Sequence, residues 1–368
     1  MGWIVDFRSA GVSPAFFGMK LLCGRDARAP QAKACQSKGR GIALPLCAGM
    51  TAKAIVFSSA MLSSAWALDP RTGGTTLLET IDARAAALGE AGSTLTGDVS
   101  GVAFNPAVVT TLSGPQLETQ FEVAPGDVRT GLVTFGQTGP RVGWSASVVA
   151  LDAGTIEIVP TSGAPSTERA QQDLVGALSG GAVLASWFRV GGTVKGLQSR
   201  LAGSYSGTAV AGDAGILVDL PVEGFRLGGA VQNVGSDLTY RETGDPLPLF
   251  YRGGLSYTFT TGDDEETPAT STGQWYAGEH LSGSKIWLGA DAVSDRWGNV
   301  TGNLGMEWTY AKLATLRLGG IVGDKGVGFT GGIGFLVKQW RLDYSIQMVD
   351  QLTDRHRMAV SYFWRTDN

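Results

Sequence analysis

Gly326, Gly328 and Gly331 spell G-x-G-x-x-G, histidines stand at 280 and 356, and four acids run from Asp263 to Glu266. Each pattern could carry chemistry, and each requires a particular setting. The glycine fingerprint cradles a dinucleotide only between a strand and a helix, whereas Gly332, Ile333, Gly334 and Phe335 read as more strand. A serine hydrolase needs a histidine base oriented by a third group. His356 sits beside Asp354 and Arg357 in a predicted outer loop, which favours loop pairing, and His280 falls in an acidic insertion and reads as exposed. Asp263, Asp264, Glu265 and Glu266 offer oxygen ligands for Ca²⁺, yet lack the spaced pattern and fixed glycine of an EF-hand loop, so a solvated charge run is expected. Asn299-Val300-Thr301 matches a glycosylation sequon and reads as a hairpin turn. No catalytic residue, metal site or cofactor is expected.

A second set of charged residues alternates with apolar ones. From Trp340 to Met348 every second residue is large and apolar, and Arg341, Asp343, Ser345 and Gln347 fill the gaps. Successive strand side chains point to opposite faces, so one face requires an apolar medium. Arg189, Lys195, Arg226, Glu307, Arg317, Arg341, Asp343 and Gln347 all fall on the polar face of such segments. These lumen-facing candidates avoid the cost of meeting lipid, roughly 2–4 kcal/mol for Arg or Lys at the bilayer midplane. They are expected to pair with one another and with an internal plug; the competing reading is a solute-conducting path.

The elements that would position them are about fourteen strands, at 117–123, 127–137, 141–151, 174–185, 187–198, 208–219, 224–234, 249–260, 285–294, 300–310, 314–323, 327–337, 339–349 and 356–364. Residues 153–159 read as a further strand or an extension of the third. Ten-residue segments of alternating hydrophobicity in even number are the mark of an all-β transmembrane antiparallel β-barrel, placed in the bacterial outer membrane. Fifty-four glycines in 368 residues, twice the usual share of about 7%, suit a curved sheet with close backbone approach. An even count puts 152–173 and 235–248 outside. Thr261 to Ser284 would then be a long inner turn, either an inserted periplasmic loop, the preferred reading, or a sign that the count slips by one. Met358, Val360, Tyr362 and Trp364 resemble the terminal strand recognised by outer-membrane assembly, with a tail at 365–368. A soluble β-sandwich and a barrel enzyme are the remaining, weaker alternatives.

Residues 1–67 read as an N-terminal extension and a signal peptide. Lys53 supplies the basic region, Ala54 to Leu62 the apolar one, and Ala65, Trp66 and Ala67 the A-x-A site. Translation starting at Met50 is the favoured reading over Met1. All three cysteines precede that site, so no disulfide is expected beyond it. From Leu68 onward 21 Lys and Arg face 31 Asp and Glu, a net charge of −10, which disfavours nucleic acid. Residues 68–113 form a plug segment, with Ala83 to Gly92 as a short helix leading to Asn105, Pro106 and Ala107; residues 114–364 form the barrel. Outer-membrane lipid is the expected surrounding and a monomeric barrel the expected state.

The order of several motifs resembles the PorV/PorQ family of outer-membrane proteins, related to the FadL-type fourteen-stranded transporters. They are Ala83-Arg84-Ala85-Ala86-Ala87-Leu88-Gly89, Val102-Ala103-Phe104-Asn105-Pro106-Ala107, Arg189 to Lys195, Asp213-Ala214-Gly215, Val231 to Gly235, Leu316 to Gly320 and Leu342-Asp343-Tyr344. The resemblance spans Leu78 to Trp364. It implies a plugged FadL-like barrel whose role is protein export or surface presentation of the type IX kind, with secreted cargo domains or a translocon as partners. The alternative it implies is a FadL-like channel for small hydrophobic compounds.

Overall fold

The computed structural model describes residues 72–79, 82–158, 164–261, 283–323, 326–348 and 354–364. The segment read as a signal peptide, the three cysteines, His280, the acidic run and the C-terminal tail lie outside them. Fourteen long strands make the wall: β1 Gln116–Ala124, β2 Val128–Thr138, β3 Val142–Asp152, β4 Gln171–Ala185, β5 Phe188–Leu201, β6 Tyr205–Asp219 and β7 Phe225–Gly235. The second half holds β8 Phe250–Thr261, β9 Ser284–Asp295, β10 Val300–Tyr310, β11 Ala314–Gly323, β12 Gly326–Val337, β13 Trp340–Met348 and β14 Arg355–Phe363. Each pairs antiparallel with its chain neighbours, and β1 pairs with β14 from Gln116 opposite Phe363 to Val123 opposite His356. The sheet is therefore closed and has no free edge.

The medium of each face follows from burial. On β1, Gln116, Glu118, Gln120 and Glu122 are buried inside, while Leu117, Phe121 and Val123 are exposed outside. The same inversion recurs at Arg317 between Leu316 and Leu318 and at Asp343 beside Leu342. A wall with apolar residues outward and charges inward suits lipid and no aqueous surroundings. Rings gather at the barrel end shared by Gln116 and Phe363. Trp340 lies against Tyr362 (4.8 Å), Tyr362 against Trp364 (4.7 Å) and Phe135 against both Trp144 (5.5 Å) and Trp364 (5.8 Å), as expected of an interfacial girdle.

Sidedness follows from connection length. Turns 139–141, 186–187, 220–224, 311–313 and 338–339 share the end where the wall begins and finishes, and the longer 153–170 and 236–249 occupy the other. Short turns mark the periplasmic side. Thr261 stands opposite Ser284 at that same end, so the strand count does not slip; the residues between them, read as an inserted loop, lie outside the described ones.

Two local expectations are corrected, and one irregularity is new. Thr155–Ile158 is neither a wall strand nor a simple extension; it pairs with Ser166–Arg169 in a separate hairpin above β3 and β4. The helix expected over Ala83 to Gly92 is one turn, α1 Ala83–Ala87, because Gly89 and Glu90 adopt φ near +63° and +64°. Gly89 needs that turn to settle on the wall, where a Cβ would come within 2.7 Å of Gly320 N. Finally, β7 carries a bulge. Both Gln232 and Asn233 turn inward opposite Asp213, with Asn233 at φ 61°, so alternation shifts by one beyond Gln232.

Leu318 and Arg317 are adjacent on β11, one exposed and one buried. Leu318→Arg is expected to destabilise the barrel by roughly 2–4 kcal/mol, read from urea unfolding in lipid vesicles.

Candidate functional site

The described residues before β1, 72–79 and 82–115, run through the lumen from the outer mouth to the periplasmic end. At the mouth, Gly73 N–H donates to Pro246 O (3.0 Å) and Thr76 bonds Asp173. Leu77 packs with Val175, Leu197, Leu238 and Leu247, so loop 236–249 folds inward and roofs this side. Asp82 caps α1 by accepting from Arg84 N (2.8 Å), and Ala83 N–H donates to Gln120 Oε1 (2.7 Å). Alanine dominates α1 because four of its five side chains are buried and only a methyl fits. Ser93 bonds Asp291 through its N–H (2.9 Å) and its hydroxyl (2.6 Å).

Glycines on the wall receive this plug. A Cβ at Gly191, Gly215, Gly228 or Gly319 would overlap Ala107, Asn105, Ser93 or Gly89 respectively, and one at Gly305 would lie 2.6 Å from Leu88 O. These positions lie on five different strands, so the plug backbone rests on a collar of absent side chains.

Asn105, Pro106 and Ala107 occupy the centre of that seat. Asn105 caps the 3₁₀ turn Pro106–Thr111, accepting from Ala107 N (3.1 Å). Its amide donates to Ser93 O and to Ile216 O, each at 2.8 Å. One buried side chain thus ties a turn, the plug and β6 together. Pro106 at the first helical position loses no hydrogen bond.

All seven charged candidates face the lumen, in three groups. Glu307, Arg317, Asp343 and Arg341 join Arg84 and Asp98 of the plug in a ring. Arg84 grips Glu307 with two donors (2.8 and 2.7 Å), Arg317 bridges Glu307 (2.7 Å) and Asp343 (2.6 Å), and Arg341 bonds Asp343 (2.5 Å) and Asp98. Asp98 closes the circuit 3.6 Å from Arg84. Three cations alternate with three anions, and Glu118 lies beside Arg341 at 3.2 Å. Arg189 and Arg226 share Asp219 near the periplasmic end, and Arg226 reaches Thr96 Oγ1 (2.9 Å). Lys195 sits at the bulge, 2.7 Å from Asp213 and 2.9 Å from Asn233 Oδ1. On the plug, burial and then the Asp98 carboxylate push Asp82 up to about 6. Burial would raise Asp98 too, but Arg341 and Arg84 hold it well below the usual carboxylate range.

Arg84, Asp98, Glu118 and Asp219 were absent from the candidates. Glu118 alternates with Leu117 and was findable by the same parity; Arg84 and Asp98 belong to no strand and carry no periodic signal. His356 lies in β14 rather than in an outer loop; its ring pairs with Tyr344 Oη (2.8 Å) on the outward face, while Arg357 turns inward to Glu122 (2.9 Å). Gly326, Gly328 and Gly331 lie within β12.

Between plug and mouth lies a cavity of about 750 Å³. Leu132, Val149, Leu151, Val175, Val102 and Phe104 make its apolar side, and Lys195, Gln232, Asn233 and Arg252 its polar side.

No protein-family model matches the chain, and no curated protein does. Two solved structures of the Pseudomonas putida toluene transporter TodX are similar to it. One has a TM-score of 0.53 at 11% identity, covering 76% of this chain and 99% of that one; the other has 0.50 at 12%, covering 76% and 96%. The CymD monoaromatic hydrocarbon channel follows at 0.49 and 11%, covering 77% and 97%. The fold is that of a closed fourteen-stranded outer-membrane β-barrel, and the chain is an outer-membrane barrel.

Two changes separate seat from ring. Gly319→Val is expected to lift the Leu88–Gly89 turn and raise ion conductance in planar bilayers above the native level. Glu307→Ala leaves Arg84 and Arg317 short of an anion and is expected to cost about 3–5 kcal/mol in urea unfolding.

Proposed function

We propose that the barrel is a channel for small hydrophobic compounds, which enter from outside and bind first in the cavity above the plug. The observation that carries this reading is the filled lumen. The plug is seated on glycines and tied by buried charges, and the cavity above it has the size of a small-molecule site and an apolar side. Its volume falls in the range of small-molecule sites, about 300–1,000 Å³. The likeness to a toluene transporter supports the same reading, since that protein is named for a small apolar solute. No nucleophile-base pair or cofactor cradle is needed for it, in keeping with a non-enzymatic role. The export reading implied by the PorV/PorQ resemblance rests on motif order alone and has no comparable support.

Purified barrel in lipid vesicles is expected to speed entry of toluene over a protein-free control and to leave glucose excluded. Leu132→Trp, which fills the apolar side, is expected to slow toluene entry roughly tenfold, a barrier of about 1.4 kcal/mol, with heat-dependent gel mobility unchanged. Equal passage of glucose and toluene would overturn the proposal.

A further inference from the structure

A polar row crosses the outward face at the outer rim. Arg129 on β2 stands opposite Asp152 on β3, Asp152 opposite Gln172 on β4, Gln172 opposite Arg200 on β5 and Arg200 opposite Ser206 on β6. Their inward neighbours Thr130, Leu151, Asp173 and Ser199 are all buried, so the row itself faces the surroundings. Below it the same strands are apolar outside, with Val133, Val148, Leu174, Leu178 and Val194 exposed. The row therefore lies at the upper border of the lipid band, where headgroups begin.

Its charges are unevenly matched. Asp152 is bound by Arg169 at 2.5 Å, whereas Arg129 and Arg200 have no hydrogen-bond or ion-pair partner among the described residues. Arg241, stacked 4.5 Å over the Tyr205 ring beside β6, adds a further cation. The acids nearby are Glu157 and Glu168, carried above the row on the hairpin. Elsewhere the outward rim is mostly of a different kind: Val123, Val234, Val300, Val322, Val327 and Met348 end six of the other nine strands. Three strands apart, with neighbours about 4.8 Å from one another, Arg129 and Arg200 stand within the reach of one headgroup bearing two anions.

We infer that this face of β2 to β6 binds the phosphorylated glycolipid of the outer leaflet, Arg129 and Arg200 each taking a phosphate. Guanidinium groups hold phosphate bidentately through paired N–H donors, and at the headgroup border such contacts are only partly screened by water. Arg169 neutralises the lone acid of the row and so keeps it from repelling the ligand. The inference is independent of what passes through the lumen.

The test uses the full-length barrel in detergent, titrated with bisphosphorylated lipid A, its dephosphorylated form and inorganic phosphate, with bound lipid counted by native mass spectrometry. The native protein is expected to hold the bisphosphorylated lipid at least tenfold more tightly than the dephosphorylated one. Millimolar inorganic phosphate is expected not to displace it. The double variant Arg129→Gln, Arg200→Gln is expected to lose that preference while keeping heat-dependent gel mobility. Arg141→Gln, at the periplasmic end, is expected to retain it. Equal affinity for the two lipids, retention of the preference by the double variant, its loss in Arg141→Gln, or displacement by free phosphate would each overturn the assignment.

Discussion

Everything inside this barrel depends on how closely the plug backbone approaches the wall. A fourteen-stranded wall encloses more space than its own side chains fill, and here the remainder is taken by the segment before β1. Contact without side chains is possible only where the strand presents none, which is why Gly191, Gly215, Gly228, Gly305 and Gly319 sit at the seat. The high glycine content is thus a packing requirement of the interior as much as of sheet curvature. Asn105 completes it by satisfying carbonyls on both sides of the contact.

The charge ring solves a related problem. Six ionised groups buried together would be costly singly, yet each has an opposite neighbour on either side, and the whole is neutral. Because Arg84 and Asp98 come from the plug and the other four from β10, β11 and β13, the ring holds only when the plug is seated. Specific geometry, rather than net attraction, is what such a network contributes. The cavity above it gains a floor that is polar underneath and apolar at Val102 and Phe104.

Much of the wall was legible because a period of two survives in each strand independently of the others. Trp340 to Met348 displays its lipid face without knowledge of any partner, and Glu307, Arg317, Arg341 and Asp343 fall inward by parity alone. Where the reading failed or stopped short, one residue or a distant contact decides the matter. The bulge at Asn233 adds a single residue to β7, and the hairpin at Thr155–Ile158 depends on its pairing with Ser166–Arg169. The short α1 ends because Gly89 meets Gly319 and Gly320, more than two hundred residues away. Arg84 and Asp98 have no strand to give them a phase, so their partners could not be inferred from spacing.

Chain order gives the ring a further meaning. Its plug members are made early, and their wall partners lie on strands that leave the ribosome near the end, as does β14, which closes the seam with β1. Until those strands arrive the plug has glycine grooves to lie in but no counter-ions to hold it. The barrel is therefore wrapped around the segment that precedes its wall, and strands made late in the wall lock a segment made before it.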